Sequence, residues 1–309
     1  MKFPWHKYCS IKVDRRPTMQ IYITNKCNLR CPGCFARFAA DKDAEGDSCM
    51  RMTEYDVAVA EARSKGAKQI NILGGEPLLH SKIDTMCSHN FDRGLKTTIY
   101  TNGLLLDKFV PQHFHGAKLR VSVDGMITGS KPFCRVEHSI EQYKGEVDIN
   151  YMVSGETIMA DLRLAARQAE DLGCKTFFIS SYRYLDNNRD FFEDDSGSFS
   201  VIDGVIYNPP KAMPLIRYKE LVHAFLYDYA GNMDIHISKR GMFEDLNGQP
   251  MCQCNFVNYF IGGKIIQCPY DVVNLKYQTD YQFGQRYCQH NSTCLMSKII
   301  VRPCTRGHS

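Results

Sequence analysis

The chain has 309 residues, 44% of them hydrophobic and 23% charged, with a formal net charge of +4. That length is ample for a buried core with an appended smaller module, and the composition is that of a soluble globular protein. The mild charge, without a basic run, gives no case for nucleic acid, and no apolar stretch reaches the roughly 18 residues of a membrane span.

Residues 1–18 read as an N-terminal extension. Their sequence "MKFPWHKYCSIKVDRRP" lacks a signal-peptide core, so a cytoplasmic location is expected. "MQIYIT" (19–24) reads as a buried strand, and so does "QINILGG" (69–75) after the helical "TEYDVAVAEARSKG". "KTTIYTNG" (96–103), "KLRVSVDG" (118–125) and "VDINYMVSG" (147–155) follow, then the helix "TIMADLRLAARQAEDLG" and the strand "KTFFISSY" (175–182). Six strands with intervening helices over 19–185 predict an α/β core with a mostly buried parallel sheet. Such sheets take ligands at the carboxyl ends of their strands. Residues 186–248 read as a connecting region: an acidic, turn-rich loop or small hairpin, a helix "LIRYKELVHAFLYDYAG" (215–231) and a strand "MDIHIS" (233–238). A last segment, 249–309, is rich in cysteine.

Fourteen cysteines are hard to explain as disulfides in a reducing compartment. Cys9, Cys49, Cys87, Cys134 and Cys174 stand alone and suit buried thiols. The other nine fall into two groups, 27 to 34 and 252 to 304, which points to metal or redox chemistry. In "TNKCNLRCPGCFAR", Cys27, Cys31 and Cys34 are three thiolates in one short loop. They can hold three irons of a 4Fe–4S cluster and leave the fourth open; taken alone, the spacing also admits a zinc or redox site.

Other positions agree with the first alternative. "GGEP" (Gly74, Gly75, Glu76, Pro77) ends the second strand, "YTNG" with Thr101 and Asn102 the third, and "VSVDG" with Ser122 and Asp124 the fourth; Asn150 follows "VDI". Together with the CxxxCxxC loop these motifs resemble the radical S-adenosylmethionine (SAM) enzymes. The resemblance covers roughly residues 18 to 185. It implies a partial (β/α)6 TIM-like barrel in which SAM chelates the open iron of the 4Fe–4S cluster. Reductive cleavage of SAM would then yield a 5′-deoxyadenosyl radical that takes a hydrogen atom from an unactivated carbon. It also implies that Gly74, Gly75 and Glu76 meet the methionine amino group, and that Thr101, Asn102, Ser122, Asp124 and Asn150 meet ribose and carboxylate. A flavodoxin- or ferredoxin-type reductant would supply the electron. One departure is Gly33 where many members carry an aromatic residue, with Phe35 directly after the triplet, so adenine packing is expected to differ.

The later group, Cys252, Gly263, Cys268, Cys288 and Cys294, resembles the twitch domain, a short relative of the SPASM domain. The resemblance implies a β-hairpin plus helix with a second, auxiliary 4Fe–4S cluster on Cys252, Cys268, Cys288 and Cys294. A zinc knuckle would use the same four ligands. Cys254 could replace Cys252 as ligand, and the spare thiol of the pair could donate a hydrogen atom to a substrate radical or be passive. Cys304 is a substitute ligand or simply buried. Too few residues precede the first strand for a peptide-recognition domain, which favours a small polar substrate such as an aminosugar or cyclitol over a short peptide. The expected outcome is epimerisation by the thiol or dehydrogenation through the auxiliary cluster, with peptide modification as the alternative. Asp190, Glu193, Asp194 and Asp195 could attract a cationic substrate or form a solvated face.

Overall fold

The computed structural model describes residues 8–13, 16–29, 31, 34, 48–126, 131–181, 200–202, 205–207, 213–238, 251–252, 256–267, 281, 283, 286–287 and 298–303. In chain order the first half runs β1 (Tyr8–Val13), β2 (Thr18–Tyr22), α1 (Met52–Ser64), β3 (Gln69–Leu73), α2 (Ile83–Asp92), β4 (Lys96–Thr101), β5 (Lys118–Val123) and α3 (Phe133–Tyr143). Next come β6 (Val147–Val153), α4 (Met159–Asp171), β7 (Thr176–Ser181), a hairpin of β8 (Ser200–Ile202) with β9 (Val205–Tyr207), α5 (Leu215–Asp228) and β10 (Asp234–Ser238). Five strands close the chain: β11 (Met251–Cys252), β12 (Phe256–Phe260), β13 (Lys264–Ile266), β14 (Arg286–Tyr287) and β15 (Lys298–Pro303). Among the described residues no helix is long and apolar enough to cross a membrane.

Eleven strands form one sheet in the order β1-β15-β10-β7-β6-β5-β4-β3-β2-β12-β13. The six expected strands are β2 to β7, neighbours in chain order and all parallel. The sheet then continues past both ends of that run. β10 adds in parallel to β7, and β12 adds in parallel to β2. β13 closes one edge antiparallel to β12, while β15 and β1 close the other. Residues 1–18 and 233–238 therefore contribute strands to the core sheet, and the last segment reaches both of its edges.

Alternation along each strand separates two faces. Met19, Ile21, Ile70, Ile72, Ile99, Leu119, Val121, Ile149, Phe177 and Ile179 are fully buried and pack with Tyr55 and Val59 of α1, Met86 of α2, Val136 of α3, Leu162 of α4 and Phe225 of α5. The other face is also buried, but it carries Gln20, Asn71, Thr98, Asp148, Asn150, His236 and Asn258. A closed (β/α)8 barrel fills its interior with branched apolar side chains. This sheet places polar groups on one face, beside a small apolar cluster of Tyr22, Leu73, Phe260 and Ile266.

Candidate active site

The cysteine loop leaves β2 through Ile23 and Thr24, and its root is fixed from two sides. On one side Thr24 bridges Cys49 antiparallel, the Asn25 N–H donates to Ser48 O at 2.8 Å, and the Met50 N–H donates to Ile23 O at 2.8 Å. The Thr24 hydroxyl donates to Ser48 O at 3.0 Å and accepts from the Lys26 N–H at 3.1 Å. On the other side the Gly75 N–H donates to Thr24 O at 2.6 Å and the Glu76 N–H to Lys26 O at 2.8 Å. A Cβ on Gly74 would stand 2.6 Å from Thr24 O, and one on Gly75 would stand 2.3 Å from Lys26 O. Both glycines are thus demanded by backbone-to-backbone contact between the end of β3 and the root of the loop.

Cys27, Cys31 and Cys34 are free thiols, the first exposed and the other two partly buried. The Cys34 N–H donates to Cys31 O at 3.3 Å, and the Leu29 N–H donates to Cys27 Sγ at 3.4 Å. Burial raises the Cys27 thiol and pushes Cys31 up to about 12, while the Lys131 ammonium pulls both down. Among the described residues no three such side chains converge on a point that would hold a single metal ion. Zinc needs its sulfurs about 2.3 Å from one centre. A multi-iron cluster takes each thiolate on a different iron, and a loop that supplies three free thiols has the donor set for it.

Glu76 is 1% exposed and ties the strand ends together. Its carboxylate accepts from the Leu78 N–H at 3.0 Å, the Thr101 hydroxyl at 2.7 Å and the Asn102 N–H at 2.7 Å. Burial raises its pKa, and those three donors, with Lys131, act in the opposite direction. The Asn102 side-chain amide in turn donates to Asn28 Oδ1 at 2.7 Å, inside the cysteine loop. A continuous chain of hydrogen bonds therefore links the ends of β3 and β4 to Asn28 of the cysteine loop.

Asp124, just past β5, accepts from the Lys131 N–H at 2.7 Å and donates its own N–H to Lys131 O at 3.1 Å. This pairing brings Lys131 to the thiols. Burial alone would lower its ammonium pKa, but Cys31, Asp124, Cys34 and Cys27 hold it above the ordinary value. Sequence reasoning missed Lys131, because it lies seven positions beyond Asp124 and is folded back by its bonds to Asp124 and the bridge between Gly125 and Pro132. Ser122 and Asn150 lie deeper, within β5 and β6 and paired in register, and Asn150 Oδ1 accepts from the Ser180 hydroxyl at 2.6 Å.

In the last segment the β12–β13 turn carries Gly262 and Gly263 at φ of 81° and 73°. Glu54 of α1 accepts from both of their N–H groups, at 2.6 and 3.2 Å. β11 pairs antiparallel with β14, Cys252 opposite Arg286 and Met251 opposite Tyr287. The Cys252 side chain lies outside the described residues, as do Gly33, Phe35, Cys254, Cys268, Cys288, Cys294, Cys304, Asp190, Glu193, Asp194 and Asp195.

Residues 21–144 match the family model of the radical SAM superfamily. The chain carries a radical SAM domain. That domain implies SAM and a 4Fe–4S cluster. An S-adenosylmethionine-dependent nucleotide dehydratase of Selenomonas ruminantium is 30% identical over 113 residues, 35% of this chain and 39% of that protein. A probable GTP 3′,8-cyclase of Methanocaldococcus jannaschii is 32% identical over 107 residues, 34% of this chain and 35% of its own length. The Fe-coproporphyrin III synthase of Methanosarcina barkeri is 27% identical over 128 residues, 40% of this chain and 31% of the synthase. The chain thus spans about a third of these curated relatives. The fold is similar to Streptococcus suis SuiB bound to S-adenosylmethionine, with a TM-score of 0.61, 15% identity, and coverage of 85% of this chain and 63% of SuiB. Around the radical SAM domain, that likeness extends the α/β architecture over most of the chain.

Proposed function

We propose that Cys27, Cys31 and Cys34 hold the 4Fe–4S cluster with one iron open to SAM, at the carboxyl ends of β2 to β5. When bound, the cluster and SAM supply reductive cleavage to a 5′-deoxyadenosyl radical, methionine, and hydrogen abstraction from a C–H bond. The observation that carries this reading is the three free thiols on a loop strapped, backbone to backbone, to Gly74, Gly75 and Glu76. Glu76 holds Thr101 and Asn102 in place, and Asn102 holds the loop through Asn28. Gly74, Gly75 and Glu76 receive the methionyl amino group. Lys131 offers a cation to the SAM carboxylate, and Thr101, Asn102, Ser122, Asp124 and Asn150 line the rest of the cofactor site.

The substrate is a small polar molecule with a hydroxyl- or amine-bearing carbon, of the aminosugar or cyclitol kind, and the reaction is epimerisation or dehydrogenation. Cys268, Cys288 and Cys294, with Cys252 or Cys254, would hold a second 4Fe–4S cluster, and the spare thiol of that pair would be the hydrogen-atom donor. The support for this site is the cysteine spacing, together with the pairing of β11 and β14, which sets Cys252 beside the strand that leads to Cys288. A peptide substrate is the second reading, motivated by the fold likeness to SuiB, which was solved with its precursor peptide SuiA.

Anaerobic reconstitution with a reductant tests the core of the proposal. The wild type should release 5′-deoxyadenosine and methionine, and the Cys27→Ala/Cys31→Ala/Cys34→Ala variant should release neither. Release of S-adenosylhomocysteine without reductant would show a methyltransferase instead. For the reaction type, turnover in D₂O should leave one deuterium at the inverted carbon of an epimerised product, and none at that carbon after dehydrogenation.

A further inference from the structure

We propose that Arg120 and Asp148, side by side on the polar face of the sheet, recognise an uncharged substrate group that presents a hydrogen-bond donor and an acceptor together. A carboxamide or a vicinal diol has that chemistry. The inference rests on the radical SAM reading above, and it names what the polar face selects.

The two residues are register partners on β5 and β6. The guanidinium is held flat: its carbon lies 3.5 Å from the Phe178 ring centroid and 4.9 Å from that of Tyr100, and it donates to the Tyr100 hydroxyl. Such a stack fixes the direction of the remaining N–H groups. The nearest guanidinium nitrogen is 3.8 Å from the Asp148 carboxylate, too far for a hydrogen bond. Arg120 Nε and Asp148 Oδ1 are both buried without a hydrogen-bond partner. An orphan donor and an orphan acceptor thus sit on register-paired residues of neighbouring strands. Each such buried atom costs about 1–3 kcal/mol, which a ligand group that pairs with both would recover.

The chemistry of the pair restricts what can satisfy it. A phosphate or carboxylate would meet Arg120 but face the Asp148 charge, and an ammonium would face the reverse. A group with one donor and one acceptor satisfies both atoms and adds no charge. Asn71, Thr98 and Asn258 elsewhere on this face are amides and a hydroxyl, which suits a neutral polar ligand. The pair is linked towards the chemistry through Tyr100, whose hydroxyl accepts from Arg120, since Tyr22 has both Tyr100 and Cys34 as electrostatic neighbours. His236 completes the wall by packing its ring 4.1 Å from that of Phe178.

Saturation-transfer NMR on the reconstituted holoenzyme tests this, with acetamide, cis-1,2-cyclohexanediol and inorganic phosphate as probes. Acetamide or the diol should receive saturation that falls several-fold in both Asp148→Asn and Arg120→Lys. It should be unchanged in Arg163→Ala, which removes an exposed arginine paired with Asp228. The probe that responds tells a carboxamide from a diol. Phosphate should show no ³¹P broadening. The proposal is overturned if neither neutral probe depends on Asp148 and Arg120, or if phosphate broadens in an Arg120-dependent way. Asp148→Asn is isosteric, and its melting temperature separates loss of the site from loss of the fold. 5′-Deoxyadenosine release in the same samples keeps the two claims apart: probe binding without SAM cleavage would sink the enzyme reading alone, and cleavage without probe dependence would sink this one.

Discussion

Strand β6 shows both faces of the sheet within a few residues. Ile149 and Tyr151 are 0% and 1% exposed against the helices, while Asp148 and Asn150 are 3% and 8% exposed on the opposite side. Burial is nearly equal, and the chemistry is opposite. On the helix side every buried methylene contributes to stability, roughly 0.8 kcal/mol each. On the polar side burial is unfavourable unless each group finds a partner. Some do, as in the Gln69 amide donating to Asn71 at 2.7 Å and Ser180 donating to Asn150. Two atoms, Arg120 Nε and Asp148 Oδ1, do not. One face is dominated by apolar packing, and the other mixes paired and unpaired polar groups with a small apolar cluster.

Substitutions can break or sharpen that contrast. The largest effect is expected on the helix face: Ile149→Ala should cost about 2–5 kcal/mol by denaturant unfolding, whereas its neighbour Asn150→Ala should cost only about 1 kcal/mol. Equal losses would mean that both faces carry the fold alike. Next is Gly75→Ala, where the new Cβ meets Lys26 O at 2.3 Å. It should cost about 1–3 kcal/mol through strain, with a fall in SAM affinity measurable by equilibrium dialysis, because the loop root must move. A stable Gly75→Ala protein with unchanged SAM affinity would contradict the strap. Glu76→Gln should lose about 1–3 kcal/mol, since one amide nitrogen must face a donor that the carboxylate accepted. Its diagnostic readout is a change in the iron–sulfur EPR signal, which a remote packing defect would leave alone. The smallest effect is at Glu54→Ala, which frees the Gly262 and Gly263 N–H groups at the exposed turn and should cost about 0.5–1.5 kcal/mol. Hydrogen exchange should rise in the β12–β13 hairpin and nowhere on the polar face.

Much of this was legible before any coordinates. The runs "QINIL" and "KTTIYT" announce β3 and β4 because a buried parallel strand is a short apolar run between turn signals. The thiol triplet, Gly74, Gly75 and Glu76 are likewise visible as local motifs. β1 and β15 were not legible: they pair with each other across nearly the whole chain, and nothing local to either names the partner. Lys131 was hidden for a similar reason, since a bridge folds it back to the thiols. Arg120 and Asp148 left a trace that a search for apolar runs passes over. Charged residues between Leu119 and Val121, and between Val147 and Ile149, mark a strand whose second face is polar.

The central claim is that the three thiols of one strapped loop direct radical cleavage of SAM. It is tested most directly by anaerobic reconstitution of the wild type and of the Cys27→Ala/Cys31→Ala/Cys34→Ala variant, followed by quantitation of 5′-deoxyadenosine after addition of reductant and SAM. The account predicts reductant-dependent 5′-deoxyadenosine from the wild type and none from a variant that remains folded. Equal release from both proteins would contradict it.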